Sequence, residues 1–200
     1  MFPLGEYAAR RAALAARMPP NSMAIVLAYK QRKMGHDIPY VFRQQPDFLY
    51  LTGFNHPSAV AVIEKSKTNA TTFSMFAPYD PKTAFDEGTP SAPAQLQEIF
   101  GADNGYARVE LQDFLRETVP SKDHVLLPDM DDSSADALRE LRSNPAVKGL
   151  PSSVSGTSTQ LVHQLRLVKS RAEIEAMRRA CSASALGFKD VCHLVLFTCC

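Results

Sequence analysis

Short apolar runs of strand length alternate along this chain with segments whose apolar residues recur at helical spacing. That alternation restricts the fold to a sheet covered by helices, an α/β class. The runs are Met23 to Tyr29, Ala59 to Ile63, Thr72 to Ala77 and His124 to Leu127. Lys65 to Asn69 separates the second from the third as a hairpin turn would, so the sheet is expected to be mixed rather than purely parallel. Helices are expected over Leu4 to Met18, stopped by Pro19-Pro20-Asn21, and over Ala94 to Phe100, closed by Gly101. Two more are expected over Leu111 to Thr118, ended by Pro120, and Ser134 to Leu141, capped by Asp131 to Ser133. In the first helix Tyr7, Leu14 and Met18 share a face, with Arg10 and Arg17 placed elsewhere. Pro78 to Pro93 reads as a long loop.

Ser152 to Thr159 has the composition of a linker, after which Leu161 to Leu167 resumes a helical pattern. Ser170-Arg171-Ala172-Glu173 is a capping box that opens a last helix, Ala172 to Val191. Ile174, Met177, Cys181, Ala185 and Phe188 are spaced so that this helix buries one stripe, and little chain remains to supply a surface for it. From Cys192 onward the tail changes character, with Leu194-Val195-Leu196-Phe197 apolar all round.

A chain of 200 residues with 45% hydrophobic content can bury a core without covalent staples. Its charges balance, Lys+Arg 22 against Asp+Glu 21, which leaves no basic excess for nucleic acid. The one basic cluster, Lys30, Arg32 and Lys33, reads as solvated surface rather than a phosphate grip. No apolar stretch approaches the ~18–20 residues that span a bilayer, so no membrane partner is expected. All four cysteines, Cys181, Cys192, Cys199 and Cys200, fall late in the chain and cannot scaffold the rest. A reducing compartment follows, and the cytoplasm is the expected location. Ala8 to Arg17 is Ala/Arg-rich, as mitochondrial transit peptides are; that makes the mitochondrion the alternative, although the segment reads first as a helix of the domain.

Candidate chemistry is thin. Asp129, Asp131 and Asp132 follow a strand and could hold Mg²⁺, but they also directly precede a helix, where acids serve as caps. His193 with Cys192, Cys199 and Cys200 offers zinc-type donors without a CxxC spacing. His36-Asp37 and His56 lie in loops, and His124 and His163 stand alone in a strand start and a helix. No phosphate-binding glycine loop, nucleophile elbow or His-Glu-x-x-His motif is present.

Two stretches say more. Tyr40-Val41-Phe42-Arg43-Gln44 leads into Asp47-Phe48-Leu49-Tyr50-Leu51-Thr52-Gly53-Phe54 and Pro57. With Arg10-Arg11, Leu14, Met18-Pro19 and Phe100-Gly101-Ala102-Asp103, this order resembles the N-terminal domain of Xaa-Pro aminopeptidases (aminopeptidase P). Leu165-Arg166-Leu167-Val168-Lys169-Ser170, with Glu173-Ile174 and Met177-Arg178, is similar to the segment joining that domain to the catalytic one. The resemblance spans about Tyr7 to Val191.

It implies a ribonuclease-H-like mixed sheet over 1–160, connecting helices and the first helix of a pita-bread peptidase domain over 161–191, and an unmatched tail over 192–200. In the family, two manganese ions sit in the pita-bread domain on two Asp, one His and two Glu, none of which this chain supplies. No catalytic, cofactor-binding or metal-ligating residue is therefore assigned. The implied role is non-catalytic: association into a homo-oligomer, pairing with a full-length homologue, or shaping access to a catalytic cleft. Asp47 is expected to cap a short turn anchored by Phe48, Leu49, Leu51 and Phe54, with Gly53 permitting the bend and Arg43 pairing with an acid. Phe85-Asp86-Glu87-Gly88 departs from the family, which often carries Trp there, and Pro46 stands where Ser is common.

Overall fold

The computed structural model describes residues 2–79, 92–129, 135–150 and 155–198. They form two compact units, Met1–Leu165 and Arg166–Cys200. In the first, the elements run α1 (Leu4–Arg17), β1 (Ser22–Leu27), α2 (Pro46–Thr52), β2 (Val60–Lys65), β3 (Thr71–Ala77), α3 (Pro93–Phe100) and β4 (Asn104–Ala107). They continue with α4 (Leu111–Thr118), β5 (His124–Leu127), α5 (Ala135–Ser143), the single turn α6 (Pro145–Lys148), β6 (Ser155–Thr157) and α7 (Ser158–Leu167).

The strands make one six-stranded sheet in the order β4-β3-β2-β1-β5-β6. β2 runs antiparallel to both β1 and β3, while β1–β5, β3–β4 and β5–β6 are parallel pairs. The mixed sheet flanked by helices is as the alternating pattern implied.

Every residue of β1 is buried, because both faces of the sheet are covered. Ala24 and Val26 point to one side, with Leu14 of α1, Phe48 and Leu51 of α2, Leu96 and Phe100 of α3 and Val162 of α7. Alanines at 24, 28, 59, 61 and 77 line that side, and their small volume makes room for Phe48, Phe54 and Phe100. Met23, Ile25 and Leu27 point to the other side, against Leu111 and Leu115 of α4, Leu138 and Leu141 of α5 and Val147 of α6. There Phe76 stacks on Tyr106 with centroids 4.9 Å apart and planes at 15°, and Phe114 lies 5.0 Å from Phe76.

Three features differ from the sequence reading. The Ser/Thr-rich segment assigned as a linker contains β6, an edge strand paired with β5 through Val125↔Ser155 to Leu127↔Thr157. Ser158 just beyond it is buried and donates its Oγ to the Ile25 carbonyl at 3.0 Å. Backbone pairing, which the side-chain pattern does not encode, holds this strand. β4 was also unseen, since Asn-Gly-Tyr-Ala has no β-branched residue; Gly105 is needed there because a Cβ would stand 2.0 Å from the Pro93 carbonyl oxygen. β1 ends at Leu27, two residues early, because the Tyr29 amide is taken by the Gln44 side chain. The loop residues 80–91, with Phe85 to Gly88, the caps Asp131 to Ser133 and Ser152 to Val154 lie outside the described residues.

In the second unit, α8 (Arg171–Thr198) opens on the anticipated capping box: Ser170 Oγ accepts from the Glu173 amide at 3.2 Å, and Glu173 Oε2 from the Ser170 amide at 2.8 Å. The helix does not stop at Val191; it continues to Thr198 across the change of composition. The stripe is not buried. Ile174, Met177 and Phe188 are 39%, 54% and 75% exposed, and Cys181 is exposed too.

Candidate functional site

The motif residues converge on the helical face built by α1, α2 and α3. Arg10 and Arg11 lie three and four residues from Tyr7, Leu14 and Ala15 lie three and four from Arg11, and Met18 lies four and three from those; all are buried. The arginines thus share the face of Tyr7 and Leu14, which corrects the placement of Arg10 away from it. That spacing was the available signal. It was obscured because arginine is ordinarily read as a solvent residue.

Both guanidiniums answer an unmet need of the backbone. The last four carbonyls of a helix have no partner within it and carry the negative end of the helix dipole. Arg10 donates to the Tyr50 carbonyl at 3.0 Å and to Glu6 at 3.1 Å, with its guanidinium carbon 4.2 Å from the Tyr50 ring centroid. Arg11 donates to Leu51 O at 3.0 Å and to Gly101 O at 3.2 Å, so it joins the ends of α2 and α3. Burial lowers the Arg11 pKa to about 10, with the Asp103 carboxylate pulling it back up, and the group stays charged at neutral pH.

Gln44 is the second hub. Its Oε1 accepts from the Tyr29 and Gln45 amides at 3.1 and 2.8 Å, and its Nε2 donates to Phe54 O and His56 O at 3.1 and 2.8 Å. Gln44 belongs to the signature motif, but its role as a hub was not legible, because the groups it joins come from separate segments. The α2 cap is Gln45, whose Oε1 accepts from the Phe48 amide; this overturns the capping role assigned to Asp47. Asp47 is instead buried, with Oδ2 3.1 Å from His163 Nε2 on α7. Phe48, Leu51 and Phe54 are the anchors foreseen, but Leu49 faces outward. Arg43 is exposed and forms no ion pair among the described residues, so Gln44 rather than Arg43 holds the turn. Gly53 bends the chain as expected, with φ 72°.

The remaining candidates do not gather. Asp129 is exposed, and its amide donates to Thr159 Oγ1; Asp131 and Asp132 lie outside the described residues. Cys192 and His193 are exposed on α8, and Cys199 and Cys200 are outside the described residues. His36 is exposed with Lys33 donating to its carbonyl, and His124 opens β5. His56 packs edge-on to Phe54 at 5.3 Å, and burial pushes its pKa below 6.5. Of the basic cluster, Lys30 lies 3.9 Å from Glu140. Among the described residues no three His, Cys, Asp or Glu side chains come together as a metal site. Glu64 pairs with Lys122, Asp103 accepts from the Phe73 amide, and Asp47 faces His163, so these acids stand at separate places; they do not fit a two-metal centre.

The signature side chains of this mixed sheet fasten the ends of α2 and α3 to α1. The chain belongs to the aminopeptidase P N-terminal domain family, which it matches over residues 7–127. It is similar to the mitochondrial intermediate cleaving peptidase 55 of Arabidopsis thaliana, at 32% identity over 190 residues that cover 94% of this chain and 37% of that protein. The Xaa-Pro aminopeptidase of Escherichia coli is 31% identical over 91% of this chain and 43% of its own length. Among solved structures, proline aminopeptidase P II from Yersinia pestis superposes with a TM-score of 0.79 at 29% identity, covering 92% of this chain and 44% of that one. The chain therefore spans about two fifths of the length of these relatives. Among the described residues no helix is long and apolar enough to cross a membrane.

Proposed function

We propose that this chain acts as the non-catalytic N-terminal domain of a Xaa-Pro aminopeptidase-like metallopeptidase, serving association or access to a catalytic cleft. The observation that carries this reading is the use made of the signature: Arg10, Arg11 and Gln44 direct their donors at backbone carbonyls of neighbouring segments. Side chains engaged in this way hold a shape, as a supporting domain requires. The manganese implied for the family belongs, on this reading, to residues of the peptidase domain. Purified chain supplied with Mn²⁺ is expected to release no amino acid from Xaa-Pro peptides. Turnover that a chelator abolishes would refute the proposal.

A second reading, pairing with a longer homologue, is favoured by one observation. Ile174, Met177, Leu186, Phe188 and Val191 of α8 are all exposed, although apolar. Light scattering after size exclusion tests it: a monomer indifferent to added full-length homologue sinks this reading. For location we propose the cytoplasm, with the mitochondrion as the alternative suggested by the mitochondrial relative. Fractionation of cells decides between them.

A further inference from the structure

At the end of the sheet where β1 and β4 finish and the antiparallel β2 begins, a recess of about 120 Å³ opens beside the helix α5. Ala28, Ala59, Val60 and Ala137 line it with small apolar groups, and Lys30, Ser58, Arg108 and Glu140 supply the polar ones.

These polar groups are unequally engaged. Arg108 and Glu140 are bound to each other at 2.9 Å. Lys30 Nζ stands 3.9 Å from Glu140 Oε2, too far for a hydrogen bond, and makes none among the described residues. Ser58 Oγ likewise forms none among the described residues, and Ser58 holds a left-handed backbone, φ 63°, that a non-glycine residue adopts at some cost. Its amide is fixed to Tyr29 O at 2.8 Å, which keeps the residue at the recess. The two cations and one acid leave a single positive charge. An ammonium held only by a long ion pair to Glu140, with a hydroxyl beside it over an apolar floor, is complementary to one oxyanion on a short hydrocarbon stem. One water needs roughly 10–15 Å³ of such space, so the recess holds a carboxylate and a few carbons.

We propose that this recess is a binding site for a carboxylate on a short apolar stem, held by Lys30 Nζ and Ser58 Oγ. A free small acid or the terminal carboxylate of a polypeptide carries the same chemistry. The test is amide NMR on the full 200-residue chain titrated with propionate, with propionamide as the uncharged comparator. Propionate is expected to shift the amides of Ala28, Ser58, Ala59 and Ala137 saturably, and propionamide is not. Lys30→Gln is expected to weaken binding about tenfold, as loss of one charged hydrogen bond does, and Lys30→Arg to retain it. Because the Lys30 ammonium reaches another segment only through its half-exposed ion pair with Glu140, unchanged peaks elsewhere will show that the fold survives the substitution. A peptide with a free C-terminus that binds more tightly than propionate, and loses this when amidated, identifies a polypeptide source; equal affinity identifies the free acid. Equal shifts with propionamide, or propionate binding indifferent to Lys30→Gln, overturn the proposal.

Discussion

The guanidinium of Arg11 lies 4.1 Å from the centroid of the Phe73 ring, inside the domain, while its two donors close on the carbonyls of Leu51 and Gly101. A helix, a strand and two helix ends thereby meet at one side chain. The planar fork suits this, because it can reach two carbonyls and stack on a ring together.

Arg11→Met keeps much of the apolar volume but leaves the Leu51 carbonyl buried without a donor. Loss of about 2–4 kcal/mol is expected from the charged hydrogen bonds and the ring contact. Arg11→Lys should recover less than half of it, since a point charge cannot span both carbonyls. Urea unfolding measures both; a Met variant within error of wild type would show the clasp to be incidental.

Gln44→Glu tests the second hub with almost no change of shape. The two acceptor bonds survive, but a carboxylate oxygen then faces the Phe54 and His56 carbonyls where an amide donated. About 2–4 kcal/mol of destabilisation is expected. Acidification toward the carboxyl's own range should recover part of it, because a protonated oxygen can donate again.

Gly53 combines a left-handed φ of 72° with a crowded site, where an added Cβ would stand 2.6 Å from Cζ of Tyr7. Gly53→Ala is expected to cost about 2–4 kcal/mol from conformation and overpacking together. Tyr7→Leu removes the obstacle, so the double variant should be more stable than the sum of the two single losses. Additive losses would place the whole effect in the backbone.

Burial holds the His56 pKa below 6.5, so the folded protein binds a proton there less readily than the unfolded chain. Between the folded pKa and 6.5 the unfolded state carries more protons, and stability therefore rises with pH in that window. The contribution is complete above 6.5 and lost as pH falls toward the folded value. Unfolding midpoints compared above and below pH 6.5 should show a fall on acidification that is smaller in His56→Gln, and NMR titration of His56 should give a midpoint below 6.5.

How far the chain could be read in advance depends on the kind of information each residue carries. Met23 to Leu27, the hairpin pair β2 and β3, and the α4 and α5 stripes follow from local periodicity, because apolar spacing and chain direction are written into neighbouring residues. The capping box at Ser170 and Glu173 was legible for the same reason: both partners lie within one turn. β4 and β6 were not, since Asn104–Ala107 and Ser155–Thr157 are strands only by virtue of pairing with β3 and β5.

The sequence alone determined the class of fold, the family and the positions of most helices that cover the sheet, though not of α6. Tertiary structure alone decided that Arg10 and Arg11 are internal, that Gln45 rather than Asp47 caps α2, and that Lys30 and Ser58 meet over one recess. The physical reason is range. Periodicity and capping act within a turn or two, whereas a buried charge is tolerable only where distant carbonyls supply its partners, such as Gly101 ninety residues from Arg11.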